Sequence, residues 1–310
     1  MRRTTGIGIG LFFLSALAAT IPTSAWAGAG AQRRFESAEA AVSALVDAAK
    51  IGDGKQLDPL FGPGAQEVLP SGDPVADREA REFFVERAAE RTHLERVGDD
   101  FAVLSVGNDD WPFPIPLVKE AAGWRFDTEA GKTEILNRRI GRNELFTIQV
   151  CQEYVSAQRD YAGRMRAAGG VYEYAQRLRS TPGKRDGLYW ETGEGDAESP
   201  IGPLFADASR EGYRPGMNAT PQPFHGYVYK ELHAAGPHAP GGARSYIKEG
   251  RMTRGFALLA YPVKYGSSGV MTFIVNEQGI VFQKDLGPKT AEIAAGITAY
   301  DPDDSWEPTE

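Results

Sequence analysis

GFALLAYPVKYGSSGVMTFIVN, residues 255–276, decides the fold. Two apolar runs of strand length flank Tyr265-Gly266-Ser267-Ser268-Gly269. A phosphate-cradling glycine loop lies between a strand and a helix N-terminus, whose N–H groups and dipole meet the anion. Here a second strand-like run, Val270 to Val275, follows, and no Lys-Ser or Lys-Thr pair accompanies it. The loop therefore reads as the turn of a β-hairpin. Working outward, Phe224 to Leu232 and Ile280 to Lys284 add two strands rich in Tyr, Phe, Val and Ile. Pro240-Gly241-Gly242 and Asn276-Glu277-Gln278-Gly279 supply turns between them.

Upstream, helical patterning begins near Lys132, with Ile135, Leu136, Ile140, Leu145, Ile148, Cys151, Val155 and Tyr161 as its apolar stripe. Gly141 and Gly169-Gly170 are its weak points. Residues 180–223 carry Pro, Gly, Asp and Ser throughout and read as a long loop. Nearer the N-terminus, Ser37 caps a helix whose apolar face holds Ala38, Ala41, Val42, Leu45, Val46 and Ala49, and Gly52-Asp53-Gly54 ends it. A second helix is expected from about Val75 to Arg96, burying Ala80, Phe83, Phe84 and Ala88. Phe101 to Val106 then reads as a strand, followed by a hairpin of Ile115 to Lys119 and Gly123 to Asp127. Pro112, Pro114 and Pro116 should make the first hairpin strand start late or lie at an edge. The fold class is α+β. Residues 37–128 form N-terminal helices plus a small antiparallel sheet. Residues 129–290 form a long helix packed on a C-terminal four-stranded antiparallel sheet, and the acidic tail 291–310 is expected to fray.

Residues 1–27 set the compartment. Arg2 and Arg3 give a positive start, Gly6 to Ala19 an apolar run, and Ala25-Trp26-Ala27 a small-x-small cleavage site. That is a secretory signal peptide, too short and wrongly flanked for a membrane helix. Cleavage is expected after Ala27, leaving a flexible leader at 28–36 and a periplasmic or secreted protein with no stable membrane span. Loss of Arg2 and Arg3 takes the formal charge from −8 to −10. So acidic a chain, without a basic stripe, argues against nucleic acid and anionic lipid as main partners. One Cys cannot form an internal disulfide, so packing must stabilise the fold.

WPFPIPLVKEAAGWRFDTEAG, EILNRRIGRNE, KRDGLYW, SPIGPLFADA, APGGA, QKDLGPKT and the opening stretch occur in order along the chain. Together they resemble a bacterial exported family of uncharacterised proteins, domain of unknown function family 2950, from about residue 36 to DPDDSW. The resemblance implies export. Residues 130–285 are also similar in element order to the soluble part of type IV pilins and type II secretion pseudopilins. Pilins assemble through an apolar N-terminal extension of their long helix, and a separate domain stands in its place here. The likeness implies a fold, not a filament.

Five groups of residues bear on chemistry. Ser245-Tyr246-Ile247-Lys248 matches the S-x-x-K nucleophile motif, but Lys289-Thr290-Ala291 lacks the glycine of the expected Lys-Thr-Gly strand and no Ser-x-Asn element intervenes. Ser245 and Lys248 are therefore weak catalytic candidates, read as a strand edge before a turn. Trp190 and Glu191, with Glu194, Asp196 and Glu198, place an aromatic among carboxylates, a set suited to a sugar, to glycoside hydrolysis or, without EF-hand order, to Ca²⁺; a solvated acidic loop is the simpler reading. Arg138 and Arg142 share a helix face at i, i+4 and can bind carboxylate or phosphate, although structural pairing with Glu134 or Asp127 is favoured. His225, His233 and His238 lack metal-ligand spacing, so no metal and no cofactor is expected, and Cys151 reads as core. The expected function is non-enzymatic: binding an envelope protein or glycan, or supporting an envelope assembly. The alternative is an envelope hydrolase or carbohydrate-binding enzyme using the Trp190 loop or Ser245 and Lys248.

Overall fold

The computed structural model describes residues 32–167, 170–192, 196–213 and 223–309. The signal peptide lies outside them, as do residues 28–31 of the leader and Glu194. Two hydrophobic cores organise the molecule.

The first core lies between helices and a small antiparallel sheet. Helix α1 (Ala38–Ile51) starts where the Ser37 side chain accepts from the Ala40 N–H and stops at Gly52, whose left-handed backbone closes the last turn. After a 3₁₀ turn, two short helices follow, α2 (Asp58–Phe61) and α3 (Ala65–Val68). Helix α4 (Pro74–Glu90) is capped by Asp73, whose carboxylate accepts from the Val75 and Ala76 N–H groups. The sheet runs β1 (Thr92–Val97), β2 (Phe101–Val106), β4 (Leu117–Glu120), β5 (Gly123–Phe126), with the two-residue β3 (Trp111–Pro112) on the C-terminal end of β2. Ala102, Leu104 and Val106 alternate into the core. Strand β4 begins only after Pro116, as three prolines without N–H groups dictate.

Two expectations fail here. Helix α4 ends at Glu90, not Arg96: Arg91 is extended, and Thr92–Val97 pair along the whole of β2. Sheet pairing outweighs weak helical patterning at an exposed edge. Ala80 and Phe83 are exposed, Phe83 with its ring edge against Trp111 and Arg87 over its face, while Phe84 takes the core position.

Helix α5 (Thr128–Ala167) is 40 residues long and begins four residues before the apolar pattern does. It runs through Gly141, where an added Cβ would touch nothing, so packing on both sides outweighs the propensity cost. Helix α6 (Gly202–Glu211) stands inside the segment read as loop, with Pro at its start and left-handed Gly212 at its end.

The second core joins α5 to a five-stranded antiparallel sheet in the order β6 (Tyr227–Leu232), β11 (Ala257–Pro262), β12 (Met271–Asn276), β13 (Val281–Asp285), β14 (Glu307–Pro308). Between β6 and β11 lie two short ribbons, β7 (Ala234–Ala235) with β8 (Arg244–Ser245) and β9 (Ile247–Lys248) with β10 (Arg251–Met252). Burial along β11 and β12 is nearly continuous, so both faces of the sheet are covered. Tyr154 of α5 donates to the Ala257 carbonyl, and α7 (Thr290–Gly296) packs on β11, its C-terminal carbonyls held by Lys230 Nζ. The tail does not fray: Tyr300 is buried, bonded to Ala234 and Gly236, and β14 adds a fifth strand to the four expected. No helix among the described residues is long and apolar enough to cross a membrane.

The opening hairpin has the register Ala257 to Asn276 through Ala260 to Phe273. Its Gly-Ser turn is buried against α5 rather than open to a ligand. Asn143 donates to the Ser268 carbonyl at 2.8 Å, and Glu144 accepts from the Val270 and Met271 N–H groups.

Candidate functional site

A cavity of about 430 Å³ lies where α1, α4, the β3–β4 connection and α5 converge. Leu45, Ala49, Phe61, Phe84, Phe113 and Ile115 give it apolar walls. Helix α5 contributes Ile135, Arg139 and Arg142, spaced i, i+4, i+7 along one face. Helix α4 adds Asp77 and Arg81. Size and lining suit a small organic ligand: a mostly apolar concavity with a few convergent polar groups.

Charge gives the cavity its chemistry. The half-buried Arg139 guanidinium donates to the Val68 and Leu69 carbonyls and to Ser267 Oγ, all neutral acceptors. Burial pulls Arg139 below its ordinary range, opposed by the Asp77 carboxylate. Asp77 itself accepts from the Ser71 N–H. Arg81 reaches the Asp77 carbonyl, while its Nε is buried without a partner. Arg142 makes no hydrogen bond or ion pair among the described residues. None of the three forms an ion pair among those residues, so three guanidinium groups stand around an apolar volume with unspent capacity for an anion.

The predicted arginine pair is split. Arg138 forms an ion pair with Glu134 at 2.6 Å, donates to the Pro112 carbonyl and lies over the Trp111 ring, outside the cavity. Arg142 instead shares the cavity with Arg139, three residues away. Sequence spacing showed an arginine-rich helix face but not which face the other layer would close.

The remaining candidates lie apart from the cavity. Ser245 Oγ accepts from the Ile247 N–H and donates to the Ile247 carbonyl, a local turn, and exposed Lys248 lies 3.9 Å from Glu249. Trp190 packs against the second core with Arg185 over its ring, its Nε1 buried and unpartnered. Exposed Glu191 pairs with Arg179 at 3.0 Å, and Asp196 with Arg185 at 3.5 Å, so both carboxylates face guanidinium groups. His233 contacts the Gln176 carbonyl and His238 the Asp301 carboxylate. Cys151 is fully buried.

A family model described as protein of unknown function (DUF2950) matches residues 32–309. No curated protein and no solved structure matches the chain. With nearly its whole length covered by that match, the chain belongs to the DUF2950 family.

Proposed function

We propose that the protein is an exported, non-enzymatic binding protein whose ligand joins an apolar body to an anionic head, carboxylate or phosphate. The head would sit between Arg81, Arg139 and Arg142, and the body against Leu45, Phe61, Phe84 and Phe113. One observation carries this reading: three arginines without ion pairs among the described residues surround an apolar cavity of ligand size. A guanidinium buried against neutral carbonyls gains most from an anion that replaces the lost hydration. Export rests on the sequence of residues 1–27. The long helix laid on an antiparallel meander supports a pilin-like scaffold for the site, without filament assembly.

The test is titration of the mature protein with a dansylated long-chain carboxylic acid and with its methyl ester. The acid should bind saturably, and the ester about tenfold more weakly, the size expected for losing one charge-assisted contact. Arg142→Ala should erase the preference. Equal affinity for acid and ester, or no saturable binding, would sink the proposal. Mass measurement of the exported chain should place its first residue at Gly28.

A further inference from the structure

On the face of α4 that meets α6, Glu79, Glu211 and His225 each present one ligand atom, and these atoms all lie within 4.8 Å of one another. They come from three segments: mid-α4, the last residue of α6, and the turn before β6. His225 Nε2 and Glu211 Oε2 approach to 2.9 Å. Both atoms are shut off from water, and the Glu211 carboxylate faces the imidazole directly. A carboxylate and an imidazole held together out of water, with Glu79 beside them, are the ligand types that a transition-metal cation takes.

The surroundings hold the histidine in place. Its backbone is left-handed, φ +48°, an uncommon state for a non-glycine residue. The His225 N–H donates to the Tyr213 hydroxyl, which donates to Asp73 Oδ2 at 2.9 Å, and the Gly226 N–H donates to the same oxygen. Asp73 also caps α4, the helix that carries Glu79. One buried carboxylate therefore positions two of the three ligands. The imidazole lies against the Phe146 ring, centroids 3.9 Å apart, and beside Phe224 and Tyr213. Burial holds His225 below its ordinary range, favouring the neutral ring that coordinates cations, and burial together with the Glu211 charge raises Glu79.

We propose that Glu79, Glu211 and His225 form a site for one divalent transition-metal cation, of the Zn²⁺ or Mn²⁺ class. An imidazole among the ligands favours these ions over Mg²⁺ and Ca²⁺, which prefer oxygen alone. Metal–ligand distances of about 2.1 Å place neighbouring ligand atoms about 3.0–3.4 Å apart, so wider pairs of the cluster close on the ion while His225 and Glu211 part slightly. A cavity of about 600 Å³, bordered by Glu79, Glu211, Glu82 and Gln149, adjoins the cluster and leaves room for water as a further ligand. Arg78 and Arg142 flank the cluster, Arg78 donating to the Glu211 carbonyl, and their charges oppose the cation. The site therefore has to outbid a simple His–Glu pair.

Calorimetric titration of the metal-stripped mature protein with Zn²⁺ should give one ion per chain, and Co²⁺ should give a visible ligand-field spectrum with imidazole character. His225→Ala and Glu79→Gln should each weaken Zn²⁺ binding at least about tenfold. Glu82→Gln, on the same cavity, should leave it unchanged. Should His225→Ala fail to fold, Glu79→Gln alone decides, because Zn²⁺ should raise the melting temperature of the wild type and not of that variant. Zn²⁺ binding that survives Glu79→Gln, or that is lost on replacing His233 or His238, overturns the assignment, as does absence of binding.

Discussion

Arg139 and Arg142 lie three residues apart on one helix and have different duties. Arg139 holds the carbonyls that end α3 and reaches the buried Gly-Ser turn, so it joins layers as well as facing the cavity. Arg139→Ala should lower unfolding free energy by about 1–3 kcal/mol, because buried carbonyls lose their donor. Arg142→Ala should change stability by less than about 0.5 kcal/mol while losing ligand preference. Urea denaturation of the two variants separates these roles. Cys151 shows the opposite fate of a reactive residue type. Full burial pushes its thiol up to about 12. No thiolate is available at pH 8, and a disulfide-exchange reagent should find no thiol in the folded protein and one per chain in denaturant. Its place mid-stripe between Ile148 and Val155 made that burial legible in the sequence. The cavity arginines were only half legible, because the closing face of α5 is set by residues far away in sequence.

Elements with continuous apolar runs and strong turn residues could be read directly. Strands β11, β12 and β13 fall where Val, Ile, Phe and Leu cluster between glycine turns, and buried sheets demand that pattern. Edges were harder. Strand β1 is almost wholly exposed and has no apolar alternation, so only its pairing with β2 reveals it. The first C-terminal strand starts at Tyr227, not Phe224, because His225 and Gly226 both adopt left-handed backbones. His225 therefore lies outside the strand and faces Glu211 at the end of α6. Gly141 of α5 is a third case. Its added Cβ would meet nothing, and its helical backbone suits alanine. Gly141→Ala should raise stability by about 0.5–1 kcal/mol, read from the urea midpoint at unchanged slope. A loss of stability would show that the helix needs to bend there.

Across the whole molecule, the candidate site belongs to no single segment. Leu45, Phe84, Phe113 and Arg139 come from four elements, and only folding places them around one volume. Composition could indicate a globular protein, and periodicity could indicate its layers, but neither encodes which layers leave a gap between them. Asp73 lies where the two cores meet, with one oxygen committed to each. Oδ1 starts α4, which packs in the first core, and Oδ2 fastens Tyr213 and Gly226, beside the second. A shared fastening of this kind makes melting all-or-none. Calorimetry of the wild type should show one transition whose van't Hoff and calorimetric enthalpies agree. With Asp73→Ala, the enthalpy ratio should depart from unity and the endotherm should divide in two, each half melting on its own schedule.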